Sequence, residues 1–247
     1  MTEKIRTRLF VPSAGAPMLC LDDSDTLSVS RVLRLRRGER IDCFNGDGNC
    51  YIYAVAASQK NALSLDLEKH LHNPSDNIPE TTVMISAVKG KNKDRIVRDL
   101  PPLGVTRIVF YYAERCVSRP EADQQPRLQK IAIEACRQCG RSTVPTIEII
   151  DKPLQEAAKI DQQSVLFWEN ETERALRFEF TTAPMQLIFG PEGGFTDNEI
   201  DWAKQMGVQT RSLGPRILRS ELAVTVGVAL VQDRRGIFSA VSPHPEK

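Results

Sequence analysis

Over the first seventy positions, apolar residues come in short runs: Arg8 to Pro12, Arg40 to Phe44, Cys50 to Ala56 and Ala62 to Leu67. Asn45-Gly46-Asp47-Gly48 and Gln59-Lys60-Asn61 separate the later ones. This pattern predicts short antiparallel strands joined by turns, with one helix over about Ser28 to Arg34. The stretch from His72 through Asn73, Pro74, Ser75, Asp76, Asn77, Ile78 and Pro79 breaks it as a linker would, which sets domains of 1–72 and 73–247. Beyond the break, strand-length and helix-length patterns alternate. Strands are expected at Thr81 to Val88, Arg107 to Tyr112, Thr146 to Ile150, Ser164 to Trp168, Met185 to Phe189 and Val208 to Leu213. Helices are expected from about Asn92 and Gln124, after Ile150, and from Thr196. Such alternation predicts a parallel sheet covered by helices, an α/β fold.

Two loops in the last third change the picture from fold to chemistry. The apolar run Leu187-Ile188-Phe189 enters Gly190-Pro191-Glu192-Gly193-Gly194-Phe195-Thr196, and Leu213-Gly214-Pro215-Arg216-Ile217-Leu218-Arg219 follows some twenty residues later. Thr196 and Glu199 have the spacing of a capping box, with Phe195 and Ile200 as its hydrophobic staple, so a helix starts at Thr196. Gly207 stands where a left-handed cap ends it. The first loop is neither a Gly-x-Gly-x-x-Gly dinucleotide fingerprint nor a Gly-Lys-Ser/Thr phosphate loop, and Pro191 removes an N–H that an anion nest would use. Alone, it reads equally as an ordinary strand-to-helix turn. Arg216 and Arg219 in the second loop point to an anionic or charge-developing partner, and Phe167-Trp168-Glu169 is placed for a third loop or for packing.

Composition narrows the remainder. The 247 residues, 41% hydrophobic and 26% charged, suit a soluble globular chain of one large or two modest domains. No run approaches the ~20 apolar residues of a membrane helix, and Met1 to Arg6 has no hydrophobic stretch behind it, so a cytoplasmic location is expected. Cys136 and Cys139 lack the second ligand pair of a structural zinc site and read as thiols on a helix; no metal is expected. Cys43 and Cys50 flank a turn and are placed to face each other, reduced, across a hairpin. None of His70, His72 and His244 is placed for catalysis.

A net charge of +1 is low for a nucleic-acid partner, but its distribution is uneven. Arg31, Arg34, Arg36, Arg37 and Arg40 fall within ten residues, opposed only by Glu39; Arg6 and Arg8 lie on the first strand, and Arg137 and Arg141 form a second basic spot. The cluster reads as a phosphate-contacting patch or as a solvated face.

The pairing of Gly-Pro-Glu-Gly-Gly with Leu-Gly-Pro-Arg-Ile-Leu-Arg-Ser-Glu resembles the SPOUT class of S-adenosylmethionine-dependent RNA methyltransferases, and within it the RsmE-like family that methylates uridine N3 of small-subunit (16S) ribosomal RNA. Val32-Leu33-Arg34-Leu35 with Gly38, the Phe44 to Gly48 turn, Leu103-Gly104-Val105, and Glu134-Ala135 with Gln138, Arg141 and Pro145 agree, so the resemblance spans nearly the whole chain. Departures are Pro102 for a usual Glu, Leu222 for a usual Thr, and the absence of a His before Val32. The resemblance implies a PUA-like β-barrel followed by a SPOUT α/β domain threaded into a trefoil knot, pairing as a homodimer and acting on ribosomal RNA. It also implies that Gly190, Pro191, Glu192, Gly193, Gly194, Leu213, Gly214, Arg216, Ile217 and Leu218 hold S-adenosylmethionine. Arg6, Arg8, Arg31, Arg34, Arg36, Arg37 and Arg141 are the expected RNA contacts. For catalysis, Arg219 is assigned to the developing anion and Glu221 or Glu192 to the N3 proton, though either carboxylate also reads as structural. A methyltransferase of this fold acting on another RNA base, and a non-catalytic RNA-binding assembly factor, stay open as alternatives.

Overall fold

The computed structural model describes residues 7–21, 35–59, 62–73, 76–86, 92–116, 119, 121–159, 163–172 and 182–238. They divide into two compact units. One holds the described residues up to Asn77 together with Gly140–Thr143, and the other holds Ile78–Cys139 and the described residues from Val144 to Phe238. Among the described residues, no helix is long and apolar enough to cross a membrane.

The first unit is a five-stranded sheet of β1 (Arg8–Phe10), β2 (Met18–Leu21), β3 (Arg40–Phe44), β4 (Asn49–Gln59) and β5 (Ala62–His72), in the order β1-β3-β4-β5-β2. Ile41, Cys43, Tyr53, Val55, Leu63 and Leu65 form its core. Three features correct the expected all-antiparallel set. β1 runs parallel to β3, with Arg8 beside Asp42. β2, which the pattern did not single out, closes the other edge against β5. Cys43 lies opposite Tyr51 and Cys50 opposite Leu71, so the two thiols do not face each other. The helix expected over Ser28 to Arg34 lies outside the described residues.

The second unit carries β6 (Thr81–Ser86), β7 (Arg107–Tyr112), β8 (Thr146–Pro153), β9 (Gln163–Phe167), β10 (Met185–Phe189) and β11 (Gln209–Arg211). They form one sheet, ordered β11-β9-β10-β6-β7-β8, and every pair is parallel. Its helices are α1 (Asn92–Asp99), α2 (Gln125–Cys139), α3 (Leu154–Ala157), α4 (Asp197–Gln205) and α5 (Ser220–Arg234). Every residue of β6 and β10 is buried, as expected of central strands covered on both faces. Successive side chains serve opposite cores: Leu187 and Phe189 join Val224, Val228 and Val231 of α5, while Ile188 joins Ile200 and Ala203 of α4.

Helix α5 lies close to the sheet because Gly227 has no side chain. A Cβ there would stand 2.7 Å from the Phe189 ring, which is stacked on Phe167 with centroids 4.8 Å apart. At the far end of α5, the buried Gln232 amide donates to Leu103 O at 3.0 Å, and the Arg235 guanidinium donates to Thr81 Oγ1 and to Ala183 O.

Candidate functional site

Strands β11, β9 and β10 end in register, with Phe189 and Arg211 on either side of Phe167. Their three following loops therefore rise side by side at the carboxyl edge of the sheet, where open α/β sheets bind ligands. Between them lies a cavity of about 110 Å³, roughly ten times what one water needs. Phe167, Trp168 and Glu169 come from the first loop, Gly190, Pro191, Glu192 and Gly194 from the second, and Leu213, Gly214, Arg216, Ile217 and Leu218 from the third.

The glycine loop is held from both sides. Thr196 Oγ1 accepts from the Glu199 amide at 3.3 Å, and Glu199 Oε2 accepts from the Thr196 amide at 2.9 Å, completing the capping box at the start of α4. The helix ends in a Schellman pair, Val208 N to Ala203 O at 2.9 Å and Gly207 N to Lys204 O at 3.1 Å. A turn after β7 grips the same loop: the Glu114 amide donates to Glu199 Oε1, Thr196 Oγ1 donates to Glu114 Oε2, and Arg115 donates to Phe195 O. The Tyr111 hydroxyl donates to Phe189 O at 3.1 Å, and burial holds this phenol far above its ordinary range, so it remains a neutral donor.

Nine of the ten residues expected to hold a cofactor line this cavity; the exception is Gly193, which sits against Arg115 O. Glu192, also expected as a proton acceptor, is one of the nine. Arg219 and Glu221 are not among the lining residues: Arg219 is the exposed N-cap residue of α5, and Glu221 Oε2 accepts from Asn92 Nδ2 at 3.4 Å. Sequence reasoning missed Phe189, Phe195, Ser212, Ser220 and Ala223 on the wall. Ser220 is the serine of the second motif, and its Oγ is buried with no hydrogen-bond partner.

Two of the arginines expected at RNA have partners within the first unit. Arg8 pairs with Asp42 and donates to Ser142 Oγ at 2.7 Å, while Arg141 is 6% exposed and meets Asp76 at 3.3 Å. Burial pushes the Asp42 carboxyl up to about 6 against the pull of Arg8. Arg36 and Arg37 are exposed, and Arg6, Arg31 and Arg34 lie outside the described residues.

Residues 75–232 match the model of an RNA methyltransferase domain, and residues 31–68 match an RNA methyltransferase PUA domain. The chain is 28% identical over 227 residues to ribosomal RNA small subunit methyltransferase E of Helicobacter pylori, covering 91% of this chain and 98% of that one. It is 30% identical over 210 residues to the protein of the same name from Rickettsia conorii, covering 83% and 84%. The fold superposes on the Neisseria gonorrhoeae ribosomal RNA small subunit methyltransferase E bound to S-adenosyl methionine, with a TM-score of 0.81, 28% identity and coverage of 92% and 97%. A Legionella pneumophila putative methyltransferase in complex with the same cofactor gives a TM-score of 0.80 at 27% identity, over 93% and 98%. The expected class, a SPOUT-type α/β domain preceded by a PUA-like one, is borne out by these likenesses.

Proposed function

The chain belongs to the RNA methyltransferase family, in its RsmE-like branch, and on that footing we propose that it uses S-adenosylmethionine to methylate N3 of a uridine in small-subunit (16S) ribosomal RNA. The observation that carries this reading is the cavity enclosed by the three in-register strand ends. Its features fit the cofactor. The Phe167–Phe189 stack gives an apolar wall for an adenine, the orphaned Ser220 Oγ offers a polar contact, and the glycines let main chain approach the guest.

S-adenosylmethionine, when bound, supplies an electrophilic methyl group on a sulfonium that is already a good leaving group. This chain's residues then have to orient uracil and manage one proton. As N3 loses its imide proton, negative charge spreads onto the flanking carbonyl oxygens. Arg219, exposed between the wall residues Leu218 and Ser220, steadies that charge. Glu192, a wall residue, receives the proton directly or through water. Glu221 is left a structural role in the first turn of α5, where a carboxylate suits the helix dipole and binds Asn92.

Arg36 and Arg37, with Arg6, Arg31 and Arg34, contact RNA phosphates. A second copy of the chain packs on α5, whose Leu222 and Leu230 are 44% and 47% exposed two turns apart. The deciding experiment is a nucleoside digest of ribosomal RNA from a strain lacking this gene. Loss of one N3-methyluridine supports the assignment. Loss of a methyl on a different base moves it to another substrate, and an unchanged digest with no S-adenosylmethionine binding leaves an assembly factor.

A further inference from the structure

Methyl transfer breaks a carbon–sulfur bond whose electron pair stays on sulfur, so the ligand that enters the site carries one more positive charge than the one that leaves. A sulfonium becomes a thioether, and a molecule of net charge +1 becomes neutral. The cavity must therefore hold two nearly isosteric guests, and the second is a product inhibitor. The charged side chains on its wall are Glu169, Glu192 and Arg216, one negative charge in excess.

Glu169, an exposed side chain, lies against the glycine loop. Gly194 has a left-handed φ of +72°, and a Cβ on it would run into Glu169 Oε1, so the carboxylate lies against bare main chain. The turn bearing Glu169 is fastened behind: the Glu171 amide donates to Trp168 O at 3.3 Å, and Thr210 Oγ1 donates to Glu171 Oε2 at 2.5 Å. The stacked rings of Phe167 and Phe189 stand on the same wall and keep part of it apolar, which strengthens any charge–charge term.

We infer, resting on the reading above, that Glu169 and Glu192 are the specificity-determining charges that make the site prefer the sulfonium donor to its neutral thioether product. Their field favours loading of spent enzyme with fresh donor. Glutamine at either position keeps the shape and removes one charge.

The test is calorimetric titration of the full chain, at low and high salt, with three probes: S-adenosylmethionine, S-adenosylhomocysteine, and an analogue bearing an ammonium where the methylsulfonium stands. The wild type is expected to bind the donor more tightly than the product, with a preference that shrinks as salt rises. Glu169→Gln and Glu192→Gln should each reduce that preference about fivefold, as expected of one unit charge at ~6 Å in a solvent-reached site, and the ammonium analogue should follow the donor. Equal weakening of donor and product in both variants would overturn the inference, as would an analogue that tracks the thioether. If Glu169→Gln disturbs the melt, Glu192→Gln carries the measurement alone. Failure of the wild type to bind any of the three sinks the methyltransferase reading itself, a different result from binding without discrimination.

Discussion

At the scale of single residues, neighbours far along the chain decide what a charge is for. Arg8 and Arg141 read as phosphate ligands from the clustering of arginines, while their carboxylate partners Asp42 and Asp76, 34 and 65 positions away, are announced by no local pattern. Arg219 is the converse case, since its neighbourhood is legible as a motif and it remains exposed at the N-cap of α5. Replacing it by alanine should lower kcat about a hundredfold, the size of losing one donor to a developing anion, while the cofactor Kd stays within about twofold. Equal losses in both would assign it to cofactor binding. Asp42 gives a pH signature. Its folded pKa of about 6 exceeds the ordinary 3.8, so its contribution is fully present below 3.8 and is lost as pH rises through about 6. Melting followed from pH 3.5 to 7.5 should show most of a loss of about 3 kcal/mol, roughly half of it already by pH 5, and Asp42→Asn should flatten it.

Elements whose signals are local were readable. The α4 start at Thr196 and its stop at Gly207 were written in side chains within one helical turn of each end, and the structure reproduces the box and the Schellman bonds. Met18–Leu21 escaped because it has four residues, follows a turn-rich stretch and earns its strand character only by pairing with Leu63–Asp66. The parallel partnership of β1 and β3 escaped for the same reason. Thr196→Ala should lower stability by about 1 kcal/mol in denaturant titration, the usual loss for a removed N-cap. Gly227→Ala tests packing against propensity. Alanine favours an isolated helix by about 1 kcal/mol, yet the added carbon would stand 2.7 Å from Phe189, so the melt should fall and donor affinity with it. An increase in Tm with unchanged affinity would show that α5 can move away without harm.

For the whole molecule, alternation of patterns gave the layered α/β class, but the order of strands in space had no trace in the sequence, because β10 joins β6 across about a hundred residues. The cavity inherits that blindness: its three loops became visible as one site only once Phe167, Phe189 and Arg211 were seen to end level. Self-association is the molecular-scale prediction. Leu222→Asp with Leu230→Asp should shift the sedimenting species from dimer to monomer, and an unchanged profile would place the partner surface elsewhere. The late position of the third loop and of α5 has a biosynthetic corollary. During translation, a chain that has emerged only through the glycine loop possesses two of the three loops and nothing to close them. Donor capture must wait until Ala223 has left the ribosome, so half-made copies cannot sequester cofactor from finished ones.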